Sequence, residues 1–151
     1  MKHKKLMKKI IIINGPNLNL LGNREKDIYG DISLQDIEKI TKAKCKEMKM
    51  DLFFCQSNNE GELINFIQSA EEKYDGLIIN PAAFTHTSVA LLDALRAISK
   101  PKIEIHLSNI YNREDYRKKS ITSEGVNGLI CGFGSLSYIL AIEAMNNLIK
   151  V

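Results

Sequence analysis

The stretch GLIINPAAFTHTSVALLDALRAISKPKIEIHL, residues 76–107, decides the fold. GLIIN (76–80) is a continuous apolar run, as expected of a strand covered on both faces. THTSVALLDALRAI (85–98) carries a helical period and stops before Pro101, because the residue before a proline is disfavoured in the helical region. KIEIHL (102–107) is a second strand. A strand, a helix and a strand in this order imply two parallel strands joined by a crossover.

The same alternation extends outward. Upstream, KKIIIIN (8–14) is a β-branched strand. SLQDIEKITKAKCKEM (33–48) opens with Ser33 and Asp36 at capping-box spacing and places Leu34, Ile37, Ile40 and Cys45 on one helical face. DLFFCQ (51–56) reads as a strand. NEGELINFIQSAEEKY (59–74) reads as a helix through Leu63, Phe66, Ile67 and Ala70. Downstream follow a short polar helix, REDYRKK (113–119), a fifth strand, VNGLICG (126–132), and a closing helix, SLSYILAIEAMNNLIK (135–150). Right-handed crossovers leave few topologies for five such units. The expectation is a flavodoxin-like α/β domain: a five-stranded parallel sheet with helices on both faces.

A chain of 151 residues suffices for one domain with its own core. The formal charge of +3 includes five lysines before the first apolar run (Lys2, Lys4, Lys5, Lys8, Lys9), and removing them leaves −2 for the rest. Residues 1–9 therefore read as a basic tail on a single domain, 10–151, and no nucleic-acid footprint is expected on the body. The apolar run stops at Ile13, too soon for a secretory or membrane segment, so no membrane association is expected. Cys45, Cys55 and Cys131 lack metal-type spacing and lie in apolar patterns, as reduced core residues of a cytoplasmic protein would.

One connection breaks the economy. NGPNLNLLGNREKDIYG (14–30) has no period, and a loop that long in a compact domain is usually a lid, a binding loop or disorder. Four Asn, three Gly, three Leu, an Arg and a Tyr make it too apolar for a linker. In this fold ligands bind outside the carboxyl ends of the strands. Those ends carry Asn14 and the loop, Asn80-Pro81-Ala82-Ala83, and His106-Leu107-Ser108-Asn109. His86 and His106 both fall on this rim. Glu104 and His106 share one face of the fourth strand, and a buried imidazole needs such a partner. The residues alone leave plainer readings open: His86 as a cap, Tyr29 as a packed ring, and Arg113 and Arg117 as a solvated stripe at i, i+4.

Glycine patterns for dinucleotides or phosphate loops are missing, as are a zinc cluster, the carboxylates of a receiver domain and a lysine placed for an imine. Tyr, His, Arg and Asn remain, a set suited to acid–base chemistry on an anionic, hydroxylated small molecule.

GPNLNLLGNRE followed by IYG, then INPAAFTHTSVAL, then EIHLSNIYNREDYRKKS strongly resembles the type II 3-dehydroquinate dehydratases of the shikimate pathway. The resemblance runs from Ile10 to near the end of the chain; Lys26 departs from it, where the family often has proline, a change expected to loosen the lid. It implies cofactor-free anti elimination of water from 3-dehydroquinate, through an enolate, to give 3-dehydroshikimate. By position, Tyr29 matches the base. Arg24 matches the lid arginine that favours its phenolate, and Asn17 the holder of a water at the enolate oxygen. His106, oriented by Glu104, matches the acid for the departing hydroxyl. Asn80, His86 and Arg117 match substrate-hydroxyl ligands, and the amides of Leu107 and Ser108 the carboxylate site. Asp93 matches a residue contributed across a subunit interface, in a homododecamer built as a tetramer of trimers. Arg113 lines the site in this reading without an assigned role. A loop that delivers both a tyrosine and an arginine would act as a catalytic lid.

Overall fold

The computed structural model describes residues 6–23 and 25–149. Arg24 and most of the basic tail lie outside the described residues. Five strands, β1 (Lys8–Asn14), β2 (Met50–Gln56), β3 (Gly76–Asn80), β4 (Lys102–His106) and β5 (Gly128–Cys131), form one parallel sheet in the order β2-β1-β3-β4-β5. Five helices accompany them: α1 (Lys26–Tyr29), α2 (Leu34–Glu47), α3 (Glu60–Lys73), α4 (Val89–Ala97) and α5 (Leu136–Ile149). The architecture is flavodoxin-like, as expected.

Why the first strand needs four isoleucines follows from its place near the sheet centre. Ile10 and Ile12 pack with Leu34, Ile37 and Cys45 of α2 and with Ala141, Ile142 and Met145 of α5. Ile11 and Ile13 point the other way, to Leu63 and Ile67 of α3 and Leu91 and Leu95 of α4. All four are fully buried. Each contributes about 1.5–3 kcal/mol relative to exposure. The Ser33–Asp36 capping box is present at the start of α2. On that helix Thr41, not Ile40, takes the buried position. Its hydroxyl is satisfied by donating to the Glu38 carbonyl at 2.9 Å.

Two expected helices come out differently. The segment 85–98 divides into a 3-10 turn (Ala82–His86) and α4, because the Ser88 side chain accepts from the Leu91 amide and caps a new helix there. The polar helix expected over 113–119 is one 3-10 turn, Asp115–Arg117, and Arg113 is extended (φ −120°, ψ −166°). Seven polar residues with no apolar face gain too little to offset helix nucleation.

The chain leaves β1 toward β2 on one side and continues from β3 to β4 and β5 on the other. The crevice between the carboxyl ends of β1 and β3 is therefore the switch point where ligands bind. Gly15 makes the crevice tight. Its amide donates to the Asn80 carbonyl at 2.8 Å. A Cβ at Gly15 would meet the Pro81 carbonyl oxygen at 2.5 Å.

Candidate active site

A pocket opens at this switch point, and its walls come from every strand end named above. Asn17, Leu18, Leu21 and Tyr29 reach it from the long loop; Asn80 ends β3 and His86 follows it. His106, Leu107 and Ser108 lie at the end of β4, and Arg113 and Arg117 beyond it. Of the residues singled out in the sequence, Glu104 is not in the wall but directly beneath His106. Asp93 is exposed on α4 and does not line this pocket.

The loop is shaped by local chemistry. Leu18 and Leu21 are buried and anchor it. Asn17 adopts a left-handed conformation (φ 67°), which asparagine tolerates better than most residues. Its amide donates to Asn58 Oδ1 at 3.0 Å, and Gln56 Nε2 donates to the Gly15 carbonyl at 3.2 Å. Glu25 is also left-handed, with φ 37°, just where α1 begins. The region that looks aperiodic in the sequence thus contains a 3-10 turn, Leu18–Leu20, and one helical turn that ends at Tyr29.

Arg113 Nη1 donates to Tyr29 Oη at 2.9 Å, and its guanidinium carbon stands 5.5 Å from the tyrosine ring centroid. Arg113, which had no assigned role from the sequence, thus contacts the tyrosine oxygen. Arg117 lies 3.2 Å from the Glu114 carboxylate through Nε. That Nε is buried and makes no aligned hydrogen bond among the described residues, so the pair is a charge contact only.

The histidines are oriented from behind. His106 Nε2 donates to Glu104 Oε2 at 2.8 Å, since a carboxylate accepts, and this leaves Nδ1 for the pocket. Burial would raise the Glu104 pKa, but hydrogen bonds from His106, Thr122 and Thr85, with the charge of His106, outweigh it and hold the carboxyl below its usual range. His86 Nδ1 donates to the Lys119 carbonyl at 2.8 Å, leaving Nε2 available. Its pKa is lowered, chiefly by burial and further by the charges of His106, Arg117 and Arg113, although the Lys119 hydrogen bond opposes this.

Asn80 is held by a buried chain of fixed polarity that sequence reasoning missed. Asn14 Nδ2 donates to the Cys55 carbonyl at 2.9 Å, so Asn14 Oδ1 must accept from the Tyr138 hydroxyl at 2.6 Å. Tyr138 Oη in turn accepts from Asn80 Nδ2 at 3.1 Å, and Asn80 Oδ1 from the Ala82 amide at 3.2 Å. Tyr138 lies in an apolar helical stripe, where a tyrosine reads as packing. Only its full burial, with a hydroxyl to satisfy, signals the role. All three cysteines are free, and burial pushes the Cys45 thiol up to about 11 and the Cys55 thiol up to about 12, which disfavours the thiolate of both.

Chemically, the pocket presents an arginine-held phenol, a carboxylate-backed imidazole, a second histidine, two guanidiniums and asparagine amides. That set can remove one proton, deliver another and bind an anion. Residues 8–146 match the family model described as dehydroquinase class II. A 3-dehydroquinate dehydratase of Clostridium botulinum is 53% identical over 145 residues, covering 95% of this chain and 99% of its own. One from Thermoanaerobacter pseudethanolicus is 51% identical over 92% of this chain and 94% of its own. The crystal structure of a type II dehydroquinase from Butyrivibrio crossotus superposes with a TM-score of 0.91 at 44% identity, covering 93% of this chain and 98% of that one.

Proposed function

Because the chain belongs to the class II dehydroquinase family, a family of hydro-lyases, we propose that it removes water from 3-dehydroquinate, through an enolate and without a cofactor, to give 3-dehydroshikimate. The observation that carries this reading is the pairing within one pocket of Tyr29, held by Arg113, with His106, held by Glu104. Dehydrating a β-hydroxy ketone needs a base, an acid for the leaving oxygen and stabilisation of the enolate. Tyr29 takes the proton beside the ketone, and the Arg113 guanidinium donates a hydrogen bond to its oxygen at 2.9 Å. Arg24, on the same loop, serves as the lid arginine. His106 protonates the departing hydroxyl, with the buried Glu104 carboxylate to balance the imidazolium. Asn17 holds a water against the enolate oxygen.

Asn80, His86 and Arg117 take the substrate hydroxyls, and the amides of Leu107 and Ser108 take the carboxylate. Asp93 stands exposed on α4, outside its own pocket, where a neighbour's site can use it in a homododecamer. The test is ultraviolet absorbance on mixing the protein with 3-dehydroquinate. Growth of the conjugated-enone band is expected. Binding without any enone would instead fit a non-catalytic flavodoxin-like module and end this reading.

A further inference from the structure

Glu104 is fully buried, yet His106 supplies only part of what its carboxylate needs. The rest comes from three hydroxyls brought together from two segments, Thr85 on one and Ser120 and Thr122 on the other. Thr122 donates to Oε1, while Thr85 and Ser120 lie 2.9 and 3.0 Å from Oε2. Thr85 Oγ1 is also 2.7 Å from both other hydroxyls, so the three form one cluster under the carboxylate. The backbone closes it: the Ile121 amide donates to the Thr85 carbonyl at 2.7 Å, and the Ser123 amide to Ser120 Oγ at 3.1 Å. None of these three side chains lines the pocket.

A carboxylate bound by one imidazole can rotate and still keep that bond. One whose two oxygens are both claimed cannot. We infer that Thr85, Ser120 and Thr122 are positioning residues for the acid: they fix the plane of Glu104, which fixes the His106 ring and aims Nδ1 at the pocket. They also supply donors that keep the buried carboxylate charged. The inference rests on the proposed role of His106 as the acid. Other titratable groups facing this corner are His86, Arg113 and Arg117 from the neighbouring turns, and the substitutions below leave all of them in place.

The experiment is steady-state kcat and KM for Thr122→Val, a change of nearly equal shape, beside Thr122→Ser and Ser120→Ala. Thr122→Val is expected to lower kcat by ~10-fold or more, the size of a lost hydrogen bond to a charge. KM should stay within about twofold, because Glu104 does not touch substrate. Thr122→Ser, which restores the hydroxyl, should recover kcat. A fall in Tm with kcat unchanged would mean a structural cluster only and overturn the inference. If Thr122→Val does not fold, Ser120→Ala is read in the same way, and an unchanged kcat there overturns it equally. Wild-type protein that forms no enone would instead defeat the function proposed for the site, and this inference with it.

Discussion

The two halves of the site are built in opposite ways. The half proposed as the acid stands on β4, between β3 and β5 in the sheet, and His106 is backed by a carboxylate whose both oxygens are occupied. The half proposed as the base hangs on a loop, and Tyr29 ends a four-residue helix whose flanking residue Glu25 is left-handed. Behind the imidazole lies a buried network, whereas the tyrosine oxygen is held by a guanidinium from another segment. The difference suits the proposed chemistry, in which the acid is aimed in advance, while a base delivered by a loop can close over substrate and exclude water.

Breaking either half should cost most. His106→Asn and Tyr29→Phe are each expected to lower kcat by roughly 10²–10⁴-fold, the range for losing a general acid or base. Circular dichroism should stay native in both, and a folded variant of either kind with wild-type turnover would remove that residue from the account.

The link between the halves is weaker. Arg113→Gln should lower kcat by about 10-fold, since it deletes the charge and the charge-assisted hydrogen bond at Tyr29 Oη but leaves the ring in place. Its cost should add to that of Thr122→Val in the double variant, since the two act on different halves. A double variant no worse than either single one would mean that the two halves are not separable.

The smallest effect is on stability. Glu104 has a lowered folded pKa, so its contribution is full above the ordinary carboxylate value of 4.5 and is lost as pH falls through the folded value. His86 is likewise lowered, so the unfolded chain takes up its proton first. Stability should therefore begin to decline as pH falls below about 6.5, where His86→Asn should flatten the curve. Urea unfolding between pH 8 and 4 checks the sign, and a rise in stability across that range would refute it.

Much of this contrast was legible in the chain. β-Branched runs and helical stripes give the five strands and the α2, α3 and α5 helices, because burial on two faces leaves a compositional mark. Glu104 and His106 two apart on a strand give the buried hydrogen-bonded pair. Residues 113–119 misled, since charge spacing fits a helix as well as an extended turn that turns both arginines to one pocket. The Thr85, Ser120 and Thr122 cluster was invisible, because three common hydroxyl residues from two distant segments leave no periodic sign. A signal did exist in Glu104 itself: a carboxylate on a strand covered on both faces must find donors somewhere.

The most direct test of a split site is exchange of the proton beside the ketone, followed by NMR of unreacted 3-dehydroquinate in deuterated water. His106→Asn, which keeps the base, should introduce deuterium at that carbon faster than the protein-free control while forming little enone. Tyr29→Phe, which keeps the acid, should match the control. Exchange that survives in Tyr29→Phe and vanishes in His106→Asn would contradict the assignment of the base to the loop and the acid to the strand.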